Sequence, residues 1–171
     1  KKVVNKLNPS LSEKVKENVA QEVGIGALKF FDLSHNRLAD IIFDWDRMLN
    51  LKGFSAPYIQ YTYARLSSIL RKAKFEKKNF PTIITHPLER EIILTILRFD
   101  EVLQDISGTY FLNQLSEYLY ELANALNIFY ETLPVLKAKN EERESRLNLV
   151  FGAKEVLKTG LALFGISSPE K

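Results

Sequence analysis

The 171-residue sequence contains no cysteine, one methionine, one tryptophan and two histidines. Without cysteine there are no disulfides, no thiolate metal sites and no cysteine nucleophile. His35 and His86 stand in turn-like contexts with no spaced metal partner and read as surface or capping residues. No apolar run approaches the roughly 20 residues that a membrane-spanning helix requires. The basic opening KKVVNKLNPS is too polar for a secretory signal. The chain starts without methionine, as a piece cut from something longer would. Gly24-Ile25-Gly26 lacks the further glycine and placed lysine of a phosphate loop, and no nucleophile elbow occurs. Asp44 and Asp46 flank Trp45, with Asp40 upstream, but no further ligand spacing accompanies them, so they read as turn and cap carboxylates. No residue set assembles a catalytic or metal site.

What is present suits a packed core. Hydrophobic residues make up 46% and charged residues 26%, and the length allows one ordinary domain with a small appended segment. The net charge of +3 favours an anionic partner only weakly, so the local placement of charge decides more than the total.

Residues 1–7 read as a basic lead-in. Asn8, Pro9 and Ser10 form a turn signal that starts a helix over 11–23, interrupted by Gly24 and Gly26. A short apolar element ends near Ser34. Residues 38–46 carry strand character through Ile41, Ile42 and Phe43, and 46–49 read as a helical turn closed by Gly53. A long helix then runs from Pro57 to Lys74 or Lys78. After a loop punctuated by Pro81 and Pro87, a helix over 88–103 buries Leu88, Ile92, Ile96 and Phe99, and Ser107-Gly108 breaks it. Another helix, 110–133, carries Leu115, Leu119, Leu122, Leu126 and Phe129 on one seam and stops at Pro134. The last, 141–164, aligns Leu147, Val150, Leu157 and Leu161 and ends at Gly165. The pattern predicts an all-α bundle over 53–171, with a less regular unit over 1–52 docked against it.

The helix that opens at Pro57 carries two faces. At 100° per residue, Ile59, Tyr63, Leu66, Leu70 and Ala73 share one side. Tyr58, Tyr61, Arg65, Ser68 and Lys72 share a neighbouring stripe. Downstream, Arg65, Arg71, Lys72, Lys74, Lys77 and Lys78 face a single acid, Glu76. Aromatic rings interleaved with cations suit stacked bases and their phosphates. A charge run alone also describes a solvated helix face, and a tyrosine stripe also describes a core. On the residues alone both readings stand.

The segment GIGALKFFDLSHNRLADIIFDWDRMLNLKGFSAPYIQYTYARLSSILRKA resembles the class I arginyl-tRNA synthetases, at the stretch after their KMSKS loop that leads into the α-helical anticodon-binding domain. HPLEREIILTILRF, YLYELANALNIFYETLPVL, SRLNLVFGAKEVLKTGLALFGI and the final SPE are similar to the same family's C-terminal bundle, the DALR domain. The resemblance covers residues 15 to 170. It implies an anticodon loop lying against the helix opened by the PYIQY segment, facing Tyr58, Tyr61 and Arg65, with Tyr130 of NIFYE joining from a second helix. Arg71 and Lys72 would add phosphate contacts beside Arg65.

The resemblance also implies a parent enzyme that joins arginine to its tRNA with ATP and Mg²⁺. Neither a HIGH-type nor a KMSKS-type motif occurs here, so this chain is expected to need no cofactor and to read rather than catalyse. Its implied partners are the arginine tRNA anticodon stem-loop and the enzyme's own catalytic domain, in a monomeric cytoplasmic protein with no membrane contact. Family chains commonly finish with a methionine after a similar ending, which helps shape the anticodon site; here the chain stops at Lys171. The competing reading is a helical protein-interaction module in a translation complex. The seams traced above show no exposed apolar patch to serve it.

Overall fold

The computed structural model describes residues 5, 10, 12–77 and 83–170. Of the features read from sequence, the lead-in apart from Asn5, Asn8 and Pro9, Lys78 and Pro81 lie outside the described residues. Within them the chain is helical, with no strand: α1 (Glu13–Leu33), α2 (Trp45–Met48), α3 (Ala56–Ala73), α4 (Pro87–Leu97), α5 (Phe99–Thr109), α6 (Asn113–Thr132) and α7 (Asn140–Leu163). The all-α expectation holds.

Helix α3 lies at the centre of the packing, against α1, α6 and α7, while α4 packs on both α6 and α7 and α5 on α6. Its start is set locally. Ser55 is the N-cap, with its hydroxyl accepting from the Tyr58 N–H at 3.3 Å, and Pro57 fills the first turn where no N–H is needed. Ile59, Tyr63 and Leu66 are fully buried, and Leu70 and Ala73 pack against the same core. The expected seams of α6 and α7 are buried in full: Leu115, Leu119, Leu122, Leu126 and Phe129 on one, Leu147, Val150, Leu157 and Leu161 on the other.

Three boundaries differ from expectation. Gly24 and Gly26 do not interrupt α1, which runs unbroken for 21 residues. Each mid-helix glycine costs only about 1 kcal/mol, less than the packing of Phe30 in the main core and of Ala27 and Phe31 against Met48 returns. At Gly26 the missing side chain makes room: a Cβ there would stand 2.9 Å from Ile166 Cγ2 and 3.0 Å from Gln60 Nε2. Residues 38–46 form no strand. Their β-branched residues have no neighbouring strand to pair with among the described residues, and Leu38 and Ile42 are 80% and 85% exposed.

The third difference is in the 88–103 helix, which breaks at Arg98 and continues as α5 through Ser107 and Gly108. The change of direction lets Phe99 stack on Tyr118 (centroids 5.7 Å apart) and brings Ile106 into the core, while Gly108 sits in open space and needs no break. Leu88 is only half-buried. After α7, Gly165 takes φ 63°, and residues 166–170 fold back across α1 and α3. Lys29 Nζ donates to Gly165 O (2.5 Å) and Gln60 Nε2 to Ser167 O (2.7 Å), which ties this tail to the bundle.

Candidate nucleic-acid interface

Three of the expected site residues meet on the seam between α3 and α6. The Arg65 guanidinium lies between two rings, its Cζ 4.8 Å from the Tyr61 centroid and 4.6 Å from that of Tyr130. Nη1 donates to Asn127 Oδ1 at 2.6 Å and Nη2 to the Tyr61 hydroxyl at 3.1 Å. Asn127 is itself fixed, because its Nδ2 donates to Thr62 Oγ1 (2.7 Å) and to Ala123 O (2.9 Å). That leaves its carbonyl oxygen turned toward Arg65. Tyr61 and Tyr130 are 49% and 45% exposed, so each ring keeps an open surface while the cation between them is held in place. Exposed cation–π contacts are worth about 0.5–1 kcal/mol apiece. The product is a rigid strip of ring, cation and ring suited to planar bases and a phosphate.

Tyr58, Arg71 and Lys72 lie outside this strip. Tyr58 is half-buried, its ring 5.5 Å from that of Tyr120 and its hydroxyl 3.4 Å from Asn124 Oδ1. It supports the strip more than it belongs to it. Lys72 is exposed two turns beyond Arg65, in line with it on the helix. Arg71 faces the other way, into a concavity of about 380 Å³ between the end of α3 and α7.

Ser67 and Leu70 line that concavity from α3, Lys74, Phe75 and Lys77 from the segment just after it, and Phe151 and Lys154 from α7. Lys74 ends α3 with φ 50°, and the Phe75 N–H donates back to Leu70 O at 3.0 Å, which turns the Phe75 ring to within 5.7 Å of Phe151. Glu170 of the tail closes one end, its carboxylate 3.1 Å from Lys154 Nζ and 3.4 Å from the Tyr63 hydroxyl. Burial works against the charge on Lys154, but the Glu170 carboxylate and Tyr63 outweigh it and hold its pKa above the ordinary lysine value. The hydrogen bond and charge of Lys154 hold the Glu170 carboxyl below its own.

Helical periodicity in the sequence singles out neither Asn127 nor this concavity. Asn127 could have been found: it stands three residues before Tyr130, one turn away on the same face of α6.

A model of the DALR anticodon binding domain matches residues 59–171, two thirds of the chain and the whole of both surfaces just described. The chain belongs to the DALR anticodon-binding domain family. Residues 1–45 match a second family, described as the catalytic domain of class I (R) tRNA synthetases. Among curated relatives, the arginine–tRNA ligase of Laribacter hongkongensis is 43% identical over 164 residues, covering 96% of this chain and 29% of the relative. That of Fusobacterium nucleatum is 42% identical over 168 residues, covering 96% and 30%. Among solved structures, Thermus thermophilus arginyl-tRNA synthetase superposes with a TM-score of 0.91 at 34% identity, over 98% of this chain and 29% of that one. The Plasmodium falciparum enzyme gives 0.85 at 29% identity, over 99% and 30%. The chain thus spans about three tenths of the length of these relatives.

The remaining candidates in the DALR chain have structural partners. His86 caps α4, its Nδ1 accepting from the Leu88 N–H at 3.2 Å, and Glu89 completes the capping box. His35 Nδ1 lies 2.5 Å from Phe31 O at the end of α1. Asp44 caps α2 by accepting from the Asp46 and Arg47 N–H groups. Among the described residues no three His, Asp or Glu side chains converge to hold a metal, and no helix is long and apolar enough to cross a membrane.

Proposed function

We propose that this chain reads the anticodon loop of arginine tRNA as part of an arginine–tRNA ligase. The observation that carries the reading is the Arg65 guanidinium held between the half-exposed Tyr61 and Tyr130 rings, in a chain of the DALR anticodon-binding family. Loop bases are already splayed from their helix, so they can stack on the rings at about 1–3 kcal/mol per base. Arg65, Lys72 and Arg71 would add a salt-dependent phosphate term. Both rings come from one molecule, so a monomer suffices. Recognition would position the distant acceptor end in a catalytic domain, where the ATP and Mg²⁺ of the charging reaction act. Work in translation would place the protein in the cytoplasm.

The test is binding by the 171-residue chain to a labelled hairpin carrying an arginine anticodon loop, against the same stem with an unrelated loop. Tighter binding of the first, weakening steeply with salt, is expected. Equal affinities with little salt dependence would reject RNA reading.

A second surface favours protein docking as well. Leu38, Ile42, Phe43, Trp45 and Phe54 are each exposed along 38–54, with the Phe43 and Trp45 rings 4.8 Å apart, apolar surface that the sequence seams did not reveal. Most of it lies in the part that matches the catalytic-domain family. We take it as the seat of that domain, with the boundary between the two parts at Lys52 and Gly53. This keeps docking as an additional role for the chain. Full charging by the isolated chain would overturn the division.

A further inference from the structure

We propose that the concavity between α3 and α7 receives one nucleotide of the bound RNA, with the Ser67 hydroxyl hydrogen-bonded to the polar edge of its base. This rests on the anticodon-loop reading and adds a second contact region to it. Ser67 is only 5% exposed, yet its Oγ has no hydrogen-bond partner. Other buried helix hydroxyls are paired: Thr62 donates to Tyr58 O, Thr95 to Glu91 O and Ser116 to Leu112 O on their own backbone, and Ser145 donates to Ile83 O across the bundle. Ser67 lines the concavity without such a partner. A buried hydroxyl left unpaired is unfavourable and uncommon in native proteins, and it marks a place where a ligand group can complete the pairing.

The surroundings suit a nucleotide. Phe75 and Phe151 form an aromatic wall with their planes 39° apart, and the exposed Lys77 places its Nζ 5.6 Å over the Phe151 ring, a pairing of ring and cation that suits a base and its phosphate. Arg71 and Lys74 are exposed at the rim, where a phosphate passes, and Lys154 is already balanced by Glu170. The volume of about 380 Å³ falls within the usual range for small-ligand sites. Arg71, which has no place in the Tyr61–Arg65–Tyr130 strip, acquires one here.

The test compares Ser67→Ala with the parent chain for binding to the arginine-loop hairpin and to a series in which each loop nucleotide in turn is abasic. Removing an unpaired hydroxyl should leave the melting temperature unchanged or slightly raised. Hairpin affinity should fall about fivefold, the worth of one hydrogen bond. At one abasic position, and only there, parent and variant should bind alike. Arg71→Ala should lower the slope of log affinity against log salt by about one phosphate contact. Unchanged affinity for Ser67→Ala, or the same fivefold gap at every abasic position, would overturn the nucleotide subsite. If Tyr130→Ala still weakens binding in that case, the anticodon-loop reading survives without it. A parent chain that does not distinguish the hairpins would overturn both.

Discussion

Arg146→Met tests a buried charge network that ties the start of α4 and the residues before it to α7. Arg146 and Glu89 are 4% and 2% exposed, with Arg146 Nε 2.7 Å from Glu89 Oε1. Arg146 also donates to Pro134 O (2.9 Å) and pairs with Glu142 (2.6 Å), while the other Glu89 oxygen accepts from the Thr85 and His86 N–H groups. Replacing the arginine by methionine roughly keeps the volume but strands a buried carboxylate. Breaking such a pair from one side costs about 3–5 kcal/mol. For a chain of this size that is roughly a 10 °C fall in melting temperature.

The loss should also depend on pH, in a direction that can be worked out. Burial pushes the Glu89 carboxyl up, but the Arg146 hydrogen bond, the two backbone N–H groups and the Arg146 charge outweigh it and hold the pKa below its ordinary value. A depressed carboxyl stabilises the fold above the unfolded-state pKa, near 4.3, and that contribution is lost as pH falls through the folded value. Without Arg146, burial has less opposition, so Glu89 in the variant takes up its proton at a higher pH than in the parent. The stability gap should therefore be widest near pH 7 and narrow toward pH 4. Chemical denaturation of both chains across that range measures it. A gap under 1 kcal/mol at pH 7, or one that does not change with pH, would show that the pair carries no such energy.

The binding strip makes simpler predictions. Tyr61→Ala and Arg65→Ala should each weaken hairpin binding while changing stability by less than about 1 kcal/mol, since Tyr61 is exposed and Arg65 only half-buried; unfolding of the bundle by Tyr61→Ala would contradict its exposure. Tyr130→Ala should cost about 1–3 kcal/mol of binding by titration, the worth of one stacked base. Gly24→Ala should raise stability by about 0.5–1 kcal/mol, because the added methyl meets nothing within 4 Å, whereas Gly26→Ala should lower it by pressing on Ile166 and Gln60. Thermal melts of the two variants decide the pair.

The long helices could be read from the sequence because their limits are written in local chemistry. Ser55 with Pro57, His86 with Pro87 and Glu89, and Gly165 with its positive φ all act within one or two turns of themselves. The misreadings arose where a distant contact outweighed a local preference. Gly26 is a breaker in isolation and a site of close approach once Ile166 folds over it from 140 positions away. Ile41 and Ile42 favour a strand, yet a strand needs a neighbour, and none is present among the described residues. At the candidate site, the wheel placed Tyr61 and Arg65 on one face. It could not show that Tyr130 closes the other side of the guanidinium, or that Tyr58, on the same stripe, would tilt inward against Tyr120. It had no means of finding the concavity, whose walls come from α3, α7 and the tail.

What α3 contributes beyond its residues is order established before binding. A free arginine side chain loses roughly 2 kcal/mol of rotamer entropy when a ligand fixes it. Arg65 has already lost most of that freedom to Asn127, the Tyr61 hydroxyl and two rings, and Asn127 is in turn held by Thr62 and Ala123 of the bundle itself. Thr62 is wholly buried and bonds the Tyr58 carbonyl one turn back, so the chain of support runs from the exposed strip into the core of the same helix. On the anticodon-loop proposal, an RNA loop arriving at this surface would not need to order the side chains that receive it. The cost of ordering then falls on the loop alone, so a loop already splayed in the right shape is favoured over one that must be rearranged. On that proposal, selection by loop shape would follow from this asymmetry.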